Sequence, residues 1–168
     1  MKTLQSGFRT THHILSLALA DLDDASARRR TRGTDGPSIA WTVGHLLDHR
    51  FKVLQLLGVE RESPYTAQFG RTAATSGEEY PSVESLRRQW AEVHADLEAA
   101  FDNAPSDLLD RQLPGSGAHG ESSIRDKLAF YAWHEGYHTG VIGAARKALG
   151  LQGPAELVAA ASTSQNAL

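Results

Sequence analysis

The chain has no cysteine. That absence excludes disulfides, thiolate metal ligands and a cysteine nucleophile, so any thiol chemistry needs a thiol supplied from outside. Apolar runs of membrane-spanning length are missing too, and the N-terminus lacks the charged-then-apolar layout of a secretion signal. A cytoplasmic location without a membrane partner is the default expectation. Positive charge is not in excess: 17 Lys and Arg stand against 20 Asp and Glu, a formal net charge of −3 that gives no reason to expect nucleic-acid binding. Arg28, Arg29, Arg30 and Arg32 do cluster, but where a first helix should end, and cations there favour the negative end of the helix dipole. Convincing strands, internal repeats and low-complexity domains are also lacking.

What is present is ordinary globular material. With 168 residues, 40% of them hydrophobic, the chain is long enough for one domain with a real core. Four helical segments stand out. Leu4, Phe8, Leu15, Leu19 and Leu22 recur at helical spacing and predict a first helix over roughly residues 3–30, broken by Gly33, Gly36 and Pro37. A very apolar second helix runs from an N-cap at Ser38 to a stop at Gly58. The third begins near Ser82 and carries Val83, Leu86, Trp90, Val93, Leu97 and Phe101 on one face. The fourth spans Ser122 to Gly150, and Pro154 opens one further short helix. Residues 159–168 are small and polar enough for a flexible tail, leaving 1–158 as the folded domain.

Four amphipathic helices of this length bury their stripes against each other as an all-α four-helix bundle. The short link after helix 1 favours antiparallel neighbours. Residues 59–80 are long enough to cross the ~30 Å length of a 20-residue helix, so helices 2 and 3 can run parallel, giving up-down-down-up.

The candidate chemistry sits in helix 4, in His134-Glu135-Gly136-Tyr137-His138. Two imidazoles four residues apart lie one turn above each other and can grip one metal ion. The spelling H-E-x-x-H also matches zinc proteases, whose glutamate is the general base. Their third ligand is missing, however: Ala144 occupies the downstream histidine position, and Glu156 lies beyond a helix stop and a proline. The better third ligand is upstream. His45, in Trp41-Thr42-Val43-Gly44-His45, lies in the most apolar helix, where a neutral imidazole needs a partner for its lone pair.

With Trp41 four residues before His45, then His134-Glu135-Gly136-Tyr137-His138-Thr139-Gly140, Arg146 and Leu149-Gly150, the chain resembles the DinB-like bacterial four-helix bundles. Their relatives include bacillithiol- and mycothiol-dependent S-transferases and the mycothiol-dependent maleylpyruvate isomerase. The resemblance implies His45, His134 and His138 as metal ligands, an up-down-down-up bundle, and pairing into homodimers, although no sequence feature marks an interface. One departure is Ile142, where many relatives carry a glutamine.

The other histidines have blander readings. His49, one turn beyond His45, is an alternative ligand, but its neighbours Asp48 and Arg50 suggest a wetter face. His12 falls on the apolar stripe of helix 1 as a partly buried polar contact. His13 and His94 are expected to face solvent or a helix flank, and His119 lies in the link before helix 4.

Three neutral histidines leave a divalent ion its full charge and an open position, the layout of a catalytic site; zinc and nickel both suit imidazole. Glu135 is a candidate general base, or else a hydrogen-bond acceptor or a solvated side chain. In the crossover link, Gln68 and Arg71 are candidates for holding the carboxylate of a low-molecular-weight thiol cofactor. The expectation is a metal-dependent thiol S-transferase or hydrolase acting on a small molecule. A metal-binding or stress-response bundle without catalysis is the alternative.

Overall fold

A computed structural model describes the chain apart from residues 34–35, 71–73, 76, 116, 118–119 and 166–168 and the side chains of 164 and 165. Among the described residues there is no β-strand, only a lone antiparallel bridge between Gln112 and Ser123. Helices α1 (Lys2–Ala20), α3 (Ile39–Leu56), α5 (Val83–Asn103) and α6 (Ile124–Ala148) form the bundle. Short helices α2 (Asp24–Arg28) and α4 (Thr66–Phe69) sit in the links, and α7 (Pro154–Gln165) follows the last bundle helix.

Three of the four long helices, α3, α5 and α6, start where the sequence offers a cap. Ser38, Ser82 and Ser123 accept hydrogen bonds from the amides of Trp41, Ser85 and Asp126, and Asp126 returns the bond to make a capping box. Gly58 follows α3 with φ of 89°, a left-handed conformation that a glycine adopts without steric cost.

Named contacts give the directions. Thr11 meets Glu135 and Ala18 meets Arg146, so α1 and α6 run parallel. Gln5 reaches Asp102 while His12 stacks near Trp90, so α5 runs against α1. His45 lies against His138 and His49 against Tyr131, so α3 runs against α6. It follows that α3 and α5 are parallel, joined by the long crossover. In chain order the helices run up, down, down, up.

One expectation needs correction. Helix 1 ends at Ala20, because Asp21 is drawn to Arg146 and Asp23 caps a separate helix by accepting from the Ser26 amide. The link to α3 is therefore longer than six residues. Accordingly α1 and α3 are not packed neighbours: each packs chiefly on α5 and α6 and they occupy opposite corners. At the C-terminus, α7 continues through Ala159 to Gln165, since alanines there are strong helix formers even where no apolar stripe is present.

The core is formed by Phe8, Leu15 and Leu19 from α1, Leu46, Leu47 and Leu54 from α3, Leu86, Val93 and Leu97 from α5, and Leu128 and Ile142 from α6. Truncating any of these leucines to alanine is expected to cost ~2–5 kcal/mol. Polar groups cross this core as well. Arg146 is fully buried, with Asp21 held at 2.7 and 2.8 Å and the Gln152 carbonyl at 2.7 Å, which ties the far ends of α1 and α6 together.

Candidate metal centre

His45 stands in the second turn of α3, and His134 and His138 face it from successive turns of the antiparallel α6. Their Nε2 atoms converge: His134 lies 3.4 Å from His45 and 3.1 Å from His138. One atom from each of the three residues falls within 4.8 Å of the others. Nitrogens so spaced subtend about 95–108° at a point ~2.1 Å from each, the angles of tetrahedral or octahedral coordination.

The surroundings orient these rings. The Nδ1–H of His45 donates to the Phe69 carbonyl at 2.8 Å, which leaves the Nε2 lone pair facing the cluster. Trp41 stacks on the same ring, centroids 4.8 Å apart at 13°. His134 uses its other nitrogen: Nδ1 lies 3.2 Å from Nδ1 of His49. His49 thus braces His134 from behind while His45 faces the cluster. Burial, and then neighbouring His45 and His134, push His49 down to about 2. Burial, followed by His134 and His45, takes His138 to about 3, and burial lowers His45 against the opposing Phe69 carbonyl. These imidazoles are neutral at neutral pH, the form that ligates.

The donor set fits a divalent cation. With His45 protonated on Nδ1, at most one proton lies among three converging nitrogens, and His138 Nδ1 is itself buried without a partner. A cation at the centre would meet converging imidazole nitrogens.

Glu135 faces the other way. It is 2% exposed, its Oε1 accepts from Arg50 Nε at 2.7 Å, its Oε2 accepts from Arg50 Nη2 at 3.0 Å, and Thr11 donates to the same oxygen. Both oxygens are committed to the core between α1 and α3, not to the imidazoles. Of the roles open for Glu135, this geometry is that of a hydrogen-bond acceptor. Arg50 is completely buried and lies flat over Trp90, 3.4 Å from the ring centroid. Asp48 is equally buried: burial raises its carboxyl, but Lys52, Thr66 and Ser63 donate to it and hold it below the ordinary range. The flanks of His49 are therefore dry, and their charge had suggested the opposite.

The crossover reaches the site through Phe69 rather than through Gln68, whose side-chain amide donates to the Glu79 carbonyl at 3.1 Å. Arg71 and His119 lie outside the described residues. Gly44 explains how Phe69 gets close: a Cβ there would stand 2.7 Å from the Phe69 ring. Ile142 is buried in the core. His13 is exposed as expected, whereas His94 is half-buried and stacks on His12 with centroids 3.7 Å apart.

Sequence reasoning missed Arg50, His49 as a brace, and Phe69. One signal was readable: a glutamate between two inward histidines needs a counter-cation, and Arg50 lies in the most apolar helix. The family model of the DinB superfamily matches residues 8–142, a span that includes all three converging histidines. The chain belongs to the DinB superfamily. No curated protein matches it at a significant level. As a DinB protein it pairs a helical bundle with a histidine cluster compatible with metal binding.

Proposed function

We propose that this DinB protein is a metal-dependent enzyme of the thiol S-transferase or hydrolase type, acting on a small molecule. The observation that carries the reading is the convergence of the Nε2 atoms of His45, His134 and His138. Three neutral donors leave a coordination position for a reactant, as catalytic sites do and closed structural sites do not. A divalent ion held there, zinc or nickel by ligand type, would supply Lewis-acid activation of a thiol or water. The chain's own part is to hold the three rings in place: Phe69 and Trp41 fix His45, and His49 fixes His134.

Because the chain has no cysteine, a transferred thiol must come from a low-molecular-weight cofactor. Gln68 and Arg71 belong to the link whose Phe69 carbonyl holds His45, and we assign them to the carboxylate of such a cofactor. Kinetics of Gln68→Ala and Arg71→Ala test this: a raised KM for the thiol supports it, and unchanged KM removes it.

A second reading, a metal-binding or stress-response bundle without catalysis, is favoured by one observation: the motif's carboxylate is engaged by Arg50. The same feature weighs against a zinc protease, which needs that carboxylate beside the ion. Elemental analysis of the purified protein, followed by turnover of monochlorobimane with a panel of small thiols, separates the readings. Metal with turnover supports the enzyme, metal without turnover on any thiol or ester supports the binding module, and absence of metal defeats both.

A further inference from the structure

Asp48 is completely buried, although it stands three residues after the half-buried His45 and pairs with Lys52, whose side chain is 36% exposed. Both of its oxygens are taken. Lys52 donates to Oδ2 at 2.5 Å, and Thr66 Oγ1, from the crossover link, donates to Oδ1 at 2.6 Å. Burying a carboxylate is costly even when it is paired, and well-packed apolar groups of similar volume often serve stability as well or better. Packing alone therefore does not call for an aspartate here. A hydrogen bond does what an apolar contact cannot: it fixes where the crossover sits along α3.

Over this stretch the crossover runs antiparallel to α3 in three steps. Tyr65 meets Phe51 with ring centroids 6.3 Å apart, Thr66 meets Asp48, and the Phe69 carbonyl meets His45. Thr66 and Phe69 are the two ends of α4. That single turn is closed by the Phe69 amide donating to the Tyr65 carbonyl at 2.8 Å and the Gly70 amide donating to the Thr66 carbonyl at 3.0 Å. The step from Thr66 to Phe69 equals the step from His45 to Asp48, so one turn of crossover meets one turn of α3 at both ends.

We propose that Asp48, acting through Thr66 and α4, is a positioning residue for His45, the ligand that α3 gives to the metal centre. Its purpose rests on the metal reading of the three histidines; its geometry does not. Asp48 holds the start of the turn, the turn carries the Phe69 carbonyl, and that carbonyl takes the Nδ1–H of His45 at 2.8 Å. The outcome is one tautomer, with Nε2 bare and 3.4 Å from Nε2 of His134. A free neutral imidazole in water prefers its proton on Nε2, where it would block ligation, so the chain has to impose the opposite form. Lys52 reaches Asp48 from α3 itself and does not set the register of the crossover.

Proton–nitrogen correlation spectra of the full chain, freed of metal by a chelator, report the His45 tautomer, and chelator competition reports zinc affinity. Thr66→Val keeps the shape and removes the hydroxyl. It should move His45 towards the Nε2–H form and weaken zinc binding on the order of 10–100-fold, the usual effect of losing support behind a ligand. Asp48→Ala should do the same, and Thr66→Val carries the test if that variant fails to fold. Thr66→Ser, which keeps the hydroxyl, should retain both wild-type properties. Lys52→Met removes the other partner of Asp48 and should lower the melting temperature while leaving the tautomer alone, which separates positioning from general loosening. In Thr66→Val, an unchanged tautomer would overturn the proposal, and so would an unchanged affinity where the wild type binds zinc. An equal tautomer change in Lys52→Met would overturn it too. A wild type that binds neither zinc nor nickel would defeat the metal reading alone, and the tautomer would still decide whether Asp48 positions His45.

Discussion

Arg50 and Glu135 form a two-point ion pair in the middle of the bundle, Nε to Oε1 at 2.7 Å and Nη2 to Oε2 at 3.0 Å, with side chains 0% and 2% exposed. The pair joins α3 to α6, and Thr11 and the Phe8 carbonyl tie it to α1. Removing one partner strands a buried charge, at a cost of ~3–5 kcal/mol. Glu135→Ala and Arg50→Met should each lose about that much in urea unfolding, while the surviving folded protein keeps its metal stoichiometry. Loss of metal or turnover without loss of stability would instead restore Glu135 to the reaction.

The histidines should separate into ligands and a brace. His45→Ala, His134→Ala and His138→Ala should each lose most of the metal measured by elemental analysis, since two imidazoles alone bind weakly. His49→Ala should keep the stoichiometry and weaken affinity on the order of 10–100-fold, the usual cost of removing a hydrogen bond to a ligand. A competition titration with a chelator distinguishes these outcomes. Complete metal loss in the His49 variant would place it among the ligands.

Helix existence and the His134–His138 pair were legible because both rest on periodicity: apolar residues at three- and four-residue steps, and two histidines about one turn apart; His45 came from its apolar setting and the family resemblance. Partners across the bundle were not legible. Asp48 and Arg50 look solvated in a linear string, but each is neutralised by residues distant in sequence or one turn away, Arg50 by Glu135 and Asp48 by Lys52 and Thr66. The break after Ala20 was hidden for the same reason. Leu22 continues the apolar pattern while Asp21, one residue earlier, is claimed by Arg146 from the far end of the chain.

Acid should destabilise the fold through His12. Burial, followed by repulsion from His94, Arg50 and His13, lowers it to about 4 from 6.5. Between those values the unfolded chain binds a proton that the folded chain does not, so stability rises with pH across this window and falls on acidification. His94, stacked against His12 and lowered mainly by burial, acts in the same direction. Melting temperature should therefore decline from pH 6.5 towards pH 4, and His12→Phe should make that decline shallower. An identical slope in the variant would assign the acid sensitivity to other groups.

Gly44→Ala sets helix propensity against packing. In an open helix the change would stabilise by ~1 kcal/mol, because glycine is the weaker helix former. Here the new methyl group would stand 2.7 Å from the Phe69 ring, which is itself fully buried and has nowhere to retreat without moving the backbone. That backbone includes the carbonyl that receives the His45 Nδ1–H. Overpacking of this kind costs ~1–3 kcal/mol, so packing outweighs propensity. Gly44→Ala should lower the melting temperature and, by releasing the His45 ring, weaken metal binding in the same chelator competition. A variant that melts higher than the wild type and binds metal as tightly would mean that Phe69 does not press on α3 at this point.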